Sequence, residues 1–140
     1  SADCYFEELR QDFEGAYYGM YFLELADYCT RENNDEREVL KLLYQSLRAL
    51  TVKSIPRRLV RCIYEIRLIV ANGEFPGLPQ GNFSETALYA VEFIAGTPVE
   101  KLYTFTLKEE VLAELVKIAE KYRRDFLPGE FHTLEILETL

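Results

Sequence analysis

The stretch from Ser54 to Pro76, SIPRRLVRCIYEIRLIVANGEFP, constrains the fold more than any other. Pro56 suits a first helical turn, where its missing N–H would have had no partner. Ser54 stands upstream as a candidate N-cap, and Asn72-Gly73 followed by Pro76 is a stop signal. Between them Leu59, Val60, Cys62, Ile63, Tyr64, Ile66, Leu68, Ile69, Val70 and Ala71 are apolar almost all the way round. A helix with so wide an apolar surface must be enclosed by others. At about 100° per residue, Arg57, Arg61, Asn72, Glu65 and Arg58 fall on one narrow face, with Arg67 off to the side. The expectation is a central core helix that shows water a single, mostly basic stripe.

The flanking segments supply the enclosure. Tyr5 to Thr30 lacks proline and spaces Phe6, Leu9, Phe13, Ala16, Tyr17, Met20, Tyr21, Leu23, Leu25 and Tyr28 as one long first helix, with Gly15 and Gly19 admitting a close neighbour. Its aromatic stripe reads as core packing, with a ligand cavity as the alternative. RENNDERE, Arg31 to Glu38, is a polar break in which Asn34 or Asp35 can cap the next helix. That helix, Val39 to Leu50, carries Leu40, Leu43, Tyr44, Leu47 and Leu50 on one side. After the central helix, Phe75 to Phe83 is a Gly/Pro-rich loop. Ser84 or Glu85 opens a fourth helix ending near Gly96, and Pro98 starts a short turn holding Leu102 and Tyr103. Thr106 to Glu109 reads as a capping box for a fifth helix, Leu107 to about Phe126, stopped by Pro128-Gly129. FHTLEILETL at the end fits a last short helix, with Leu134 and Leu137 packed back on the body. Tyr103 to Thr106 is the one stretch with strand character. The predicted fold is all-α: residues 1–140 form a single compact helical domain of about five to seven helices, without a zinc finger.

At 140 residues, 49% of them hydrophobic, the chain can bury a proper core. The cysteines Cys4, Cys29 and Cys62 are widely spaced, with no C-x-x-C pair, so neither a thiolate metal site nor a disulfide framework is expected. Reduced buried thiols, no apolar run of membrane-spanning length and no signal-peptide pattern point to a cytoplasmic protein. A start at Ser1-Ala2 without Met suggests an excised or processed piece.

Charge is distributed unevenly. Residues 1–40 hold eleven acids and three bases, whereas residues 41–72 hold seven bases (Lys41, Arg48, Lys53, Arg57, Arg58, Arg61, Arg67) and only Glu65 as an acid. Residues 73–140 are again acidic, and the whole chain carries a formal −8. Such charges ordinarily solvate helix exteriors. An acidic chain with its positive charge gathered in one segment also suits an acidic partner. Wholesale binding to a phosphate backbone does not fit, because most of the surface would repel it.

Catalytic chemistry finds little support. His132 is the only histidine and has no Cys or Ser motif beside it. Gly77 and Gly81 have no Lys-Ser/Thr after them, so no phosphate-cradling loop is present. Glu109-Glu110 and Asp35-Glu36 lack the spacing of an EF-hand loop. The chain is read as a non-enzyme without cofactors.

Three ordered stretches resemble one family. AYYGMYFLELAD in the first helix is similar to the alanine/tyrosine-rich Y-x-x-E-L segment that opens the helical domain of bacterial RecO recombination-mediator proteins. YEIRLIVANGEFP, Tyr64 to Pro76, resembles their F-E-[IL]-[KR]-L-L-x-x-x-G-Y-x-P segment. YRRDFLPGEFHTLEIL, Tyr122 to Leu137, resembles their closing signature, with Phe131, His132, Thr133, Leu134 and Leu137 at its places. The likeness covers only the C-terminal helical part, and nothing here corresponds to the family's N-terminal OB-fold DNA-binding domain. Many members hold a four-cysteine zinc site after the G-Y-x-P segment, where this chain reads Gly77 to Phe83 without one Cys, so zinc is not carried over.

The resemblance implies a role in DNA repair and recombination. It implies binding to the acidic, Phe-ended tail of single-strand-binding protein and to RecR, in support of strand annealing and recombinase loading. Single-stranded DNA would be contacted mainly through the missing OB-fold domain. The family's tail-binding residues lie near the start of the central helix, which here offers Arg57, Arg58 and Arg61, with Lys53 and Arg48 as weaker help. The alternative is a ligand-sensing or dimerising all-α effector domain of a regulator, its Tyr/Phe-rich first helix lining a cavity.

Overall fold

A computed structural model describes residues 12–31, 35–127, 129 and 131–140 of the chain. They form six helices: α1 (Phe13–Arg31), α2 (Glu36–Ala49), α3 (Arg57–Ala71), α4 (Glu85–Gly96), α5 (Glu109–Phe126) and α6 (His132–Thr139). A single 3₁₀ turn, Val99–Lys101, links α4 to α5. Among the described residues there is no strand, so Tyr103 to Thr106 is connection only. The domain is all-α, as its periodicity requires.

α1 starts later than its spacing suggests. Asp12 lies outside the helix, and its side chain accepts a hydrogen bond from the Gly15 N–H at 3.1 Å. A single helix running through from Tyr5 is therefore wrong at Asp12, and the part of that expectation before Asp12 lies outside the described residues. The physical reason is competition: an Asp carboxylate bonds the orphan donors of a helix start better than it sits in a helix interior. Arg57 donates to the same carboxylate, which holds Asp12 below its ordinary 3.8, with the Gly15 N–H adding to the effect. A depressed carboxylate pKa gives stability that is present above the unfolded value and lost as pH falls through the folded one. Asp12→Ala is therefore expected to cost about 1 kcal/mol near neutrality. The deficit relative to wild type should shrink once the pH drops below about 4. Urea unfolding at several pH values checks this, and a pH-independent deficit would contradict it.

Asp35 caps α2 by accepting from the Arg37 N–H at 3.1 Å, one of the two caps expected. The inner face of α2 is rotated from the one read in the sequence. Val39, Leu42, Leu43, Ser46 and Ala49 are buried, whereas Leu40 and Tyr44 face water. The true stripe follows the i, i+3, i+4, i+7 rule from Val39 and tolerates a serine. That serine is satisfied, bonding the Leu42 carbonyl at 2.7 Å and the Tyr103 hydroxyl at 2.5 Å.

α3 is the central helix, packed against α1, α2, α4 and α5, while α6 rests on α1. Ser54 does not cap it. Pro56 occupies the N-cap place, and its carbonyl accepts from the Leu59 and Val60 N–H groups. The far end closes as the Asn72-Gly73 signal predicts. Gly73 takes a positive φ of 74°, and the Glu74 N–H reaches back to the Ile69 carbonyl at 3.1 Å. Ser84 caps α4 through the Ala87 N–H. The capping box at Thr106 does not form. Lys108, extended at φ −63° and ψ 154°, is the last residue before α5, so Thr106 stands two positions too early. Glu109 and Glu110 still place negative charge in the first turn, where the helix dipole favours it.

The apolar stripe read along α1 belongs to the core only in part: Phe13, Met20 and Leu23 face water, and Tyr17 and Tyr28 are partly buried. Tyr21 and Phe22 are fully buried and Tyr18 nearly so. Phe22 stacks on Tyr64 of α3 at 4.2 Å between ring centroids, and the Tyr64 hydroxyl donates to the Phe22 carbonyl. Leu137 of α6 is buried and Leu134 packs partly against the core. Cys29 and Cys62 are buried thiols, and Cys4 lies outside the described residues. Burial pushes the Cys62 thiol well up, which makes it unreactive. Among the described residues, no helix is long and apolar enough to cross a membrane.

Candidate functional site

The arginines of α3 separate into distinct roles, and the wet basic stripe is not what they form. Arg57 reaches α1, pairing with Asp12 and with Glu14 at 3.3 Å. Arg67 turns the other way and donates to the Ile94, Ala95 and Thr97 carbonyls at 2.9, 3.2 and 2.6 Å. It thereby closes the C-terminal end of α4, whose last carbonyls have no partner within the helix. Arg61 turns inward: its Nε donates to Glu65 at 3.2 Å, and its guanidinium lies 5.5 Å from the Tyr21 ring centroid. Of these four, only Arg58 has a side chain more than half exposed, 3.9 Å from the open carboxylate of Glu109.

Glu65 explains the inward turn. It is 1% exposed, so its charge must be met by protein groups. Three donors converge on its Oε2: Arg61 Nε, Arg123 Nη1 at 3.3 Å and the Tyr21 hydroxyl. The Tyr21 hydroxyl is pushed well above its ordinary pKa by burial and by that neighbouring carboxylate, and it stays protonated as a donor. On their outer side Arg61 and Arg123 share a second carboxylate, Glu138 of α6, at 3.8 and 3.6 Å. Side chains from α1, α3, α5 and α6 thus meet in one ionic cluster.

A cleft of about 210 Å³ opens over this cluster. Arg58, Arg61, Cys62 and Glu65 are spaced i, i+3, i+4, i+7 and therefore share one face of α3. Val116, Glu120 and Arg123, spaced i, i+4, i+7, present the facing side of α5. The guanidinium side chains of Arg58, Arg61 and Arg123 line it, with Cys62 and Val116 as apolar wall.

Of the residues singled out in the sequence, Arg58 and Arg61 are brought together here. Arg57 is committed to α1. Lys53 is exposed in the turn before α3, and Arg48 is exposed near the end of α2, 5.7 Å from the Tyr44 ring centroid. Neither lines the cleft. Arg123 and Glu138 were missed. Arg123 carries a signal, because Val116, Ala119 and Tyr122 put it on the inner side of α5, where an arginine needs a carboxylate. Glu138 carries none, since only the placement of α6 brings it there. His132, 81% exposed beside Glu135, is a surface residue.

The fold and this cleft define an all-helical module whose polar interior is ionic and in which Arg58, Arg61 and Arg123 meet at one groove. The family model for recombination protein O, C terminal, matches residues 10–81, from before α1 through α3 and into the loop beyond it. The chain belongs to that family, a non-catalytic recombination-mediator domain family with a role in DNA recombination and repair. No curated protein matches the chain, and no solved structure matches it. The zinc of other members does not fit. Gly77 to Phe83 offers no thiol or imidazole. Among the described residues, no group of three or more His, Cys, Asp or Glu could hold a metal ion.

Proposed function

We propose that this chain is the partner-docking module of a recombination mediator and receives the acidic, Phe-ended tail of single-strand-binding protein at the cleft between α3 and α5. The observation that carries the reading is the convergence of Arg58, Arg61 and Arg123 on one small groove with an apolar wall. A peptide carboxylate would meet charge-assisted donors there, while its terminal ring covers apolar surface. Arg58 is the outer contact and Arg61 and Arg123 the inner ones. Lys53 and Arg48, both exposed, add to the attracting field, whereas Arg57 is neutralised by Asp12 and Glu14. RecR, the other partner expected for the family, would bind elsewhere on the module if both act together.

Arg58 gives the clean test, because its exposed side chain can be reversed without opening the core. Arg58→Glu is expected to weaken the tail peptide by about tenfold or more, since a charged contact is worth about 1–3 kcal/mol when partly desolvated. The melting temperature should hardly move, and added salt should weaken binding to the wild type. Calorimetric titration of the peptide into both forms measures it. A wild-type domain that gives no heat ends the proposal.

A further inference from the structure

We infer that Glu138 is an internal occupant of the acidic-peptide site, so that α6 of this chain and the tail of a partner compete for the same arginines. The inference rests on the docking reading above and adds the residue that controls it. With Glu138 in place, three arginines face three carboxylates (Glu65, Glu120 and Glu138) around the cleft. That lining is neutral, Glu109 beside Arg58 adds a further negative charge, and the site attracts a peptide weakly. Glu65 cannot leave, being buried and bonded from three sides. Glu138 can: its side chain is 56% exposed, and both of its arginine contacts are longer than 3.5 Å.

The helix that carries it is also lightly held. α6 has eight residues and no side-chain cap at its start, too short to persist without docking. It packs on α1 and buries Leu137 and Thr133, preceded by Phe131, whose ring meets Tyr21 and Tyr28 edge-on. The Thr133 hydroxyl is buried there without a hydrogen-bond partner among the described residues, a desolvation cost that the docked position must bear. Displacing Glu138, alone or with its helix, leaves the lining of the cleft one positive charge in excess and frees the Arg61 and Arg123 guanidiniums on their outer side for an incoming carboxylate.

Three forms of the full chain test this by calorimetric titration with one acidic, Phe-ended peptide: wild type, Glu138→Gln and Glu135→Gln. Glu135 lies on the same helix, exposed beside His132 and away from the cleft, so it reports the bare effect of removing one negative charge. Glu138→Gln should bind the peptide about threefold or more tighter than wild type. Glu135→Gln should match wild type. Equal affinities for wild type and Glu138→Gln overturn the competition while leaving the docking site standing. An equal gain in both variants overturns it too, as general electrostatics. Absence of binding in all three overturns both readings.

Discussion

Replacing Glu65 by alanine is expected to remove about 3–5 kcal/mol of stability, a large part of what a domain of this size possesses. The loss does not come from the packing of one side chain. Arg61 and Arg123, with side chains only 18% and 10% exposed, would keep only their longer contacts to the half-exposed Glu138, and the Tyr21 hydroxyl would lose its acceptor. The Tyr21 hydroxyl then bears its desolvation cost in full, and the two guanidiniums are left with one weak carboxylate between them. Glu65→Gln should lie between wild type and alanine. It keeps one carbonyl oxygen for the donors but removes the charge that balances the two guanidiniums. Converting Glu65 and Arg123 together to leucine should recover much of the loss, since an apolar replacement leaves fewer buried charges uncompensated. Equilibrium urea unfolding of the set decides the matter. A loss below about 1 kcal/mol for Glu65→Ala would mean that the cluster is solvated in solution.

What could be read in the sequence, and what could not, divides along the same residues. The central position of α3 follows from Leu59 to Ala71 being apolar on nearly every side, a property local to the segment. Its end follows from Asn72-Gly73, because only a positive φ lets Glu74 reach back to Ile69. Both need no knowledge of neighbours. The fate of the arginines depends wholly on neighbours. Arg57, Arg61 and Arg67 share one short segment, yet they end on α1, on a buried glutamate and on the last turn of α4. A guanidinium on a long stem travels several ångströms to its partner, so position on a helical wheel does not fix where its charge lies. Glu65 misleads for the same reason: at the edge of a basic face it reads as solvated, and it is instead the group that draws that face inward. The inner face of α2 failed differently. Leu40 is as hydrophobic as Leu42 and Val39, and Tyr44 has a large apolar ring, so the apolar spacing pointed to the wrong rotation, and Ser46 disguised the right one.

Phe22→Ala is expected to cost about 3–5 kcal/mol, the range for emptying a fully enclosed aromatic site. Phe22 is fully buried, stacks on Tyr64 and meets the rings of Tyr18 and Tyr21. The ring therefore holds α1 to α3 at the place where the Tyr64 hydroxyl also bonds the α1 backbone. Emptying that site loosens one of the contacts that fix how deep Tyr21 sits, beside those with Phe131 and Arg61, and Tyr21 is a donor to Glu65. The two losses are thus linked. A Phe22→Ala, Glu65→Ala double variant should lose less than the sum of the single variants, because Tyr21 can be mispositioned only once. Phe13→Ala serves as the control: its side chain is on the same helix but 81% exposed, and it should change stability by no more than about 0.5 kcal/mol. Thermal unfolding of Phe22→Ala should fall by on the order of 10 °C. Strict additivity of the double variant would show that the aromatic stack and the ionic cluster stand independently, and that the cleft draws no rigidity from the core beneath it.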